Sequence, residues 1–385
     1  MNQSNLKKLQ NLLKEKDIDI FVINRSDEYL NEYISPNAER LNFITNFSGS
    51  AGRAIITPTD AFLYVDGRYT FQANTQINAK EIHAKHLNSF WTDLEKILLE
   101  EEYKIALDPT LHSIIEIEKV EKMLENSTSQ LQLIDKNFVD LIWENQPKTQ
   151  YTDIFDHPTS FAGQGRSEKL DILKKFLDQN EIDHYFVSGL DNIAWLLNLR
   201  ADDIKYTPLL YSYLLISKNN KHSLYIKESA MPEILKKEIQ TLININNIEN
   251  IRSIFNNINS SESIGLDFNS TTYYFLDLLR KQKINTKNLA NPCILLKAIK
   301  NKTELDGAKK AHIRDGVSIT KYIYWLKNIM DPKSNDEISV AHHLENLRRK
   351  NELFHSLSFD TISAIDKNAA LPHYRVTKEG KSSFS

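Results

Sequence analysis

The sequence predicts an α/β protein in which two copies of one module precede a third, mainly helical region. Three observations carry this reading. Short apolar runs alternate with stretches of helical periodicity through most of the chain. A helix-then-strand pattern recurs 164 positions on, from Ile18 to Ile182. Beyond Asn291 the strand-like runs give way to long helical patterns. With 385 residues, 41% apolar and 10% aromatic, the chain is long enough for two or three packed domains.

The first helix is predicted where Leu6, Leu9, Leu12 and Leu13 recur at helical spacing, and Ile18 to Ile23 follow as a strand. The second copy repeats this order, with Leu170, Leu173, Phe176 and Leu177 before Ile182-Asp183-His184-Tyr185-Phe186-Val187. Two more strand pairs keep it: Leu63-Tyr64-Val65 with Leu224-Tyr225-Ile226, and Ile105-Ala106-Leu107-Asp108 with Ile264-Gly265-Leu266-Asp267. Apolar strands alternating with helices predict a mostly parallel sheet covered by helices in each copy. A polar stretch from Gln146-Pro147 to Gly163-Gln164-Gly165 separates the copies, and Ser167 and Glu168 open the next helix. The expected domains are 1–160, 161–292 and 293–385.

In the third region, Leu305, Ala308, Ile313, Val317, Ile319, Tyr322, Ile323, Trp325 and Leu326 predict one long amphipathic helix from Lys302 to Met330. Asp331-Pro332 stops it, and a capping box from Ser334 to Glu337 starts a second helix reaching about Lys350. Thr361 to Ile365 and Leu371 to Val376 read as strands. Two helices and a sheet edge do not enclose a core, so 293–385 reads as a domain fragment. Its unpaired strand edge predicts association and poor solubility.

A net charge of -3 with interspersed signs gives no basic stripe for nucleic acid and no acidic tail. The amphipathic start and the lack of 18 consecutive apolar residues predict a cytoplasmic protein with no membrane partner. The single cysteine, Cys293, lies in an apolar run and reads as a buried small hydrophobe rather than a reactive thiol. His342, His343, Glu345 and His355 form one local cluster of metal-ligating types, read as a solvated helix face because a site needs further ligands in fixed geometry.

Four blocks of residues point further. They are Ser26-Asp27-Glu28-Tyr29 with Phe47-Ser48-Gly49-Ser50-Ala51-Gly52; Val65-Asp66-Gly67-Arg68-Tyr69; Leu190 to Arg200 with Thr207-Pro208; and Lys297-Ala298-Ile299-Lys300-Asn301-Lys302 with Ala311 to Gly316. Phe359-Asp360-Thr361-Ile362-Ser363 and His373-Tyr374 follow in order. Together they resemble the three-domain Xaa-Pro aminopeptidases (aminopeptidase P). These are metallopeptidases with creatinase-type N-terminal modules and a pita-bread (α+β) catalytic domain. The resemblance implies removal of the N-terminal residue from peptides whose second residue is proline. It also implies two divalent metal ions, usually manganese, and a homodimer.

The family's metal ligands, two aspartates, one histidine and two glutamates, lie beyond the His-Tyr motif. The sequence reaches Ser385 before the first of them, so no catalytic residue and no metal ligand is assigned and the chain alone is expected to be inactive. Two substrate-binding positions carry over by the resemblance, His373 and Arg68. Read as residues alone, His373 is a strand-end histidine bonded to nearby backbone, and Arg68 is a turn residue pairing with Asp66. Where the family has Gly-Pro-Asn-Gly, this chain has Asp366-Lys367-Asn368-Ala369, which removes two positions tolerant of positive φ and implies a loop under relaxed constraint. Three readings follow: an aminopeptidase by descent, a non-enzymatic remnant or scaffold and dimerisation module, or one half of a split enzyme completed in trans.

Overall fold

The computed structural model describes residues 3–384. In the first repeat, α1 (Asn5–Glu15), β1 (Ile20–Asn24), α2 (Arg40–Thr45), β2 (Gly52–Ile56), β3 (Ala61–Val65), α3 (Thr70–Gln76), β4 (His83–His86), α4 (Phe90–Glu100), β5 (Lys104–Leu107), α5 (Ile114–Leu124), β6 (Gln130–Leu133) and α6 (Phe138–Ile142) build one layered unit. A connection through β7 (Phe155–Asp156) and α7 (Thr159–Ala162) leads to the second repeat. It comprises α8 (Arg166–Gln179), β8 (His184–Val187), α9 (Leu190–Leu197), β9 (Leu199–Arg200), β10 (Tyr213–Ser217), β11 (His222–Ile226), α10 (Glu233–Ile239), β12 (Ile243–Asn247), β13 (Ser263–Leu266), α11 (Tyr273–Lys281), β14 (Asn285–Asn288) and α12 (Pro292–Ala298).

The duplication is visible in the strand order. One sheet runs β4-β3-β2-β1-β5-β6 and the other β12-β11-β10-β8-β13-β14. The β3–β4, β1–β5 and β5–β6 pairs are parallel, as helical crossovers require, but the central β1–β2 and β2–β3 pairs are antiparallel. A tight turn explains β2–β3: Thr57 N donates to Asp60 O at 2.9 Å, closing a connection too short for a parallel return.

Every residue of β1 is buried because both sheet faces are covered. Phe21 and Ile23 pack with Leu9 and Leu13 of α1, whereas Ile20 and Val22 face a second cluster containing α4 and α5 residues. That second cluster also holds Phe186, Tyr213, Ile264 and Phe275 of the other repeat, so the repeats share one apolar core. Their seam is internally symmetric. Ile114 N donates to Thr271 O and Tyr273 N to His112 O, both at 3.0 Å, so that Ile114 corresponds to Tyr273 and His112 to Thr271. Self-complementary bonding of this kind marks a two-fold interface, here within one chain.

The chain divides into two compact units, one running to Thr159 and over Gln164–Ile299, the other formed by Ser160–Gly163 and the segment from Lys300. The second unit contains α13 (Lys302–Asn328) and α14 (Glu337–Arg349). Within it Arg348 pairs with Asp315 at 2.6 Å, and the His343 ring stacks on Trp325 at 3.7 Å. The cap of α14 is Asp336, boxed with Ser339, two residues beyond the expected Ser334. Neither 361–365 nor 371–376 forms a strand. No adjacent strand offers either segment a ladder among the described residues, and the amide of Ile365 is taken by the Glu337 carboxylate at 2.6 Å. The expected half-sheet edge is therefore not there to drive association. The apolar surface of this unit lies instead on α13, where Ile313 is 70% and Tyr324 61% exposed.

One pH dependence follows from the β10–β11 hairpin. His222 is buried, and its Nδ1 accepts from Ser217 N at 3.1 Å, which requires a neutral ring. Burial, together with the nearby Lys174 charge and against Asp171, pushes its pKa down to about 4. An unfolded histidine titrates near 6.5, so between these values the unfolded state binds more protons. The stability due to this group is complete above about pH 6.5 and is lost as the pH falls through about 4. Thermal melts are expected to show a lower Tm at pH 5 than at pH 7, with a smaller difference in His222→Asn. A difference unchanged by the substitution would contradict this assignment.

Candidate functional site

Arg68 sits in the 3-10 turn Gly67–Tyr69, capped by Asp66. The Asp66 Oδ1 accepts from Arg68 N at 3.0 Å and from Arg68 Nε at 2.6 Å. These bonds hold the Asp66 carboxyl below its usual range. The turn rests on the Ser48-Gly49-Ser50 loop: the Tyr69 and Ser50 hydroxyls lie 2.5 Å apart, and a Cβ on Gly49 would come within 2.1 Å of the Phe47 ring. Only glycine fits there. Because the Arg68 side chain is 54% exposed and its pairing with Asp66 is screened by solvent, Arg68→Ala is expected to leave stability nearly unchanged. A Tm within a degree or two of the parent checks this.

His373 is half-buried in a turn of the second unit rather than at a strand end. Its segment is pinned by Glu337, the first residue of α14, which is fully buried. The carboxylate accepts from Ile365 N at 2.6 Å, Ser382 N at 2.8 Å, the Tyr374 hydroxyl at 2.9 Å and Asn368 Nδ2 at 3.1 Å. Burial raises the carboxyl pKa, but these four donors outweigh it and hold Glu337 below its usual range. Tyr374 is pushed up to about 12 by burial and by the same carboxylate.

The loop before His373 keeps a left-handed backbone position and a dense set of hydrogen bonds despite the two lost glycines. Asp366 itself adopts φ 50°, so the left-handed backbone is kept by one of the few side-chain types that tolerate it. Asn368, buried, ties the loop to Glu337, Tyr374 and Gly380 O. Glu337 was missed in the sequence because it reads there as an ordinary capping residue. Its only signal is its place at the start of a helix that precedes the His-Tyr motif.

Among the described residues no three His, Cys, Asp or Glu side chains converge to hold a metal ion. Glu345, from the local histidine cluster, pairs with Arg349 along its own helix. Cys293 is fully buried and burial pushes its thiol pKa up to about 12, which suits a packed hydrophobe. No helix among the described residues is long and apolar enough to cross a membrane.

Residues 5–136 and 145–304 each match the creatinase/prolidase N-terminal domain family. The chain is 33% identical over 397 residues to a probable Xaa-Pro aminopeptidase P of Paracoccidioides brasiliensis (strain Pb03), covering 97% of this chain and 63% of that protein. It is 34% identical over 390 residues to a probable Xaa-Pro aminopeptidase P of Neosartorya fischeri, covering 97% of this chain and 59% of that protein. The chain thus spans about three fifths of these relatives. Among solved structures, the X-prolyl aminopeptidase of Caenorhabditis elegans, described as a cytosolic enzyme with a di-nuclear active site, superposes with a TM-score of 0.91 at 26% identity. The match covers 99% of this chain and 65% of that one.

Proposed function

The chain belongs to the Xaa-Pro aminopeptidase (aminopeptidase P) family with creatinase N-terminal domains, and on that premise we propose that the protein acts in removing the N-terminal residue from peptides with proline in second place. The observation that carries the reading is the match to an X-prolyl aminopeptidase over 99% of this chain at a TM-score of 0.91. Segments 1–160 and 161–292 are the two N-terminal modules in this reading, and 293–385 belongs to the catalytic domain. His373 donates a ring N–H to the substrate carbonyl, where a donor stabilises developing negative charge. Arg68 contacts substrate from the first module, and Glu337 fixes the segment that presents His373.

A pair of divalent ions, manganese by resemblance, would supply an activated water. The described residues do not fit such a pair, since they bring no donor set together. We place the protein in the cytoplasm as a homodimer and expect no turnover from the described residues alone, which bring no metal donor set together. A second reading, a scaffold or dimerisation module or one half of an enzyme completed in trans, is favoured by the exposed apolar face of α13, which a partner would cover.

Titration of an Arg-Pro-Pro peptide onto the chain tests the assignment of His373. Saturable binding is expected, weakened about tenfold in His373→Ala at unchanged Tm. Binding indifferent to the substitution would remove His373 from the substrate site.

A further inference from the structure

Val65, the last residue of β3, pairs in parallel with His86, the last residue of β4, so the turns that follow these two strands lie side by side. The first turn carries Asp66, Gly67 and Arg68, and a Cβ on Gly67 would stand 3.4 Å from His86 Nε2. The His86 ring therefore lies over the Arg68 turn. It does so at the carboxyl ends of parallel strands, where open α/β sheets take ligands. Both residues are open to solvent, His86 as an exposed residue and Arg68 with 54% of its side chain accessible.

The orientation of the ring is set by a hydrogen bond. His86 caps the 3-10 turn Leu87–Ser89, and its Nδ1 accepts from Asn88 N at 3.2 Å. In a neutral ring an accepting Nδ1 puts the proton on Nε2. The cap thus holds Nε2–H as a donor over the turn that carries Arg68.

The second repeat shows the same place closed. Ile226 of β11 pairs in parallel with Asn247, the last residue of β12, so Asn247 is the equivalent of His86. Asn247 also caps its turn, accepting from Glu249 N at 3.3 Å. Asparagine is among the best capping residues and histidine is not, so capping alone does not account for His86. In the second repeat Lys227, in the turn after β11, donates to the Glu249 carboxylate at 2.6 Å and bridges the two turns. The equivalent of Glu249 in the first repeat is the uncharged Asn88, the residue whose amide the cap accepts. The first repeat therefore lacks the carboxylate that joins the turns in the second, and it holds a guanidinium and a ring N–H beside that place.

We propose that His86 is a further substrate contact, which together with Arg68 takes the C-terminal carboxylate of a peptide. The His86 Nε2–H and the Arg68 guanidinium both donate to it, and the ligand's carboxylate stands where Glu249 stands in the second repeat. This rests on the reading that Arg68 contacts substrate, and it adds a preference for peptides with a free carboxyl terminus.

Isothermal titration of the full chain with Arg-Pro-Pro and with its C-terminal amide tests the assignment. The parent chain is expected to bind the acid about tenfold more tightly than the amide. His86→Asn copies the second repeat and keeps the cap, so Tm should hold while binding of the acid weakens about tenfold. If that variant does not fold, the Nε2 resonance of His86 in the parent chain, labelled at histidine nitrogen, serves instead. It is expected to shift on saturation with the acid and to stay in place with the amide. Amide binding as tight as the acid, acid binding unchanged in the folded variant, or a resonance indifferent to the acid each overturn the role of His86 and leave the peptide reading standing. Absence of saturable binding of either peptide to the parent chain overturns both.

Discussion

Phe186→Ala is expected to destabilise both repeats at once, by about 3–5 kcal/mol, in a single transition. Phe186 is 1% exposed, and its ring centroid lies 4.5 Å from Phe275, 5.4 Å from Phe255 and 5.9 Å from Tyr213. These rings share a cluster with Ile20, Val22, Ile105 and Leu107 of the first repeat, so a cavity at Phe186 loosens packing on both sheets. Trp91 reports on the first repeat and Trp195 on the second. Denaturant unfolding followed in variants that retain one or the other should give coincident curves, both shifted by the substitution. A loss of stability seen by Trp195 alone would mean that the repeats fold separately and that the shared core does not couple them.

The second large effect is local to the other unit. Glu337→Ala is expected to free the segment from Ile365 to Ser382, at a cost of at least about 2–3 kcal/mol, because it strands the Ile365 and Ser382 amides without an acceptor and leaves the Tyr374 hydroxyl and the Asn368 amide only their bonds to Gly380 O and neighbouring hydroxyls. Hydrogen exchange at the Ile365 and Ser382 amides should accelerate while protection in the two sheets is retained. Tyr374→Phe removes one of the four donors and should cost about 1 kcal/mol. Acid should act in the same direction. A carboxyl whose folded pKa is depressed contributes stability above its ordinary value and loses it as the pH falls through the lowered one, so the segment should open first at low pH. Unchanged exchange in Glu337→Ala would leave the His373 segment held by something else.

Much of the architecture was legible because helical spacing and apolar runs are local signals, and their recurrence from Ile18 to Ile182 exposed the duplication directly. The antiparallel centre of each sheet was not, since a strand such as Ile20-Phe21-Val22-Ile23 is apolar on both faces and carries no cue to its neighbour's direction. For the same reason the shared core was hidden: Ile20 and Phe21 look alike in sequence yet enter different clusters. The strands expected at 361–365 and 371–376 failed because β-propensity needs a partner strand, and a buried carboxylate took one of the backbone donors instead.

At the candidate site, the Asp66–Arg68 pair could be read from spacing across Gly67. Glu337 could not, since its four donors lie 28 to 45 residues away.

The most direct test of the functional account is release of the N-terminal residue from an Arg-Pro-Pro peptide by the purified 385-residue chain with manganese, measured together with bound metal per chain. The account predicts no release above background and less than one metal per chain, because the described residues bring no metal donor set together. Release by the chain alone, with about two metals bound as a dinuclear site requires, would contradict it and place a donor set among residues that show none.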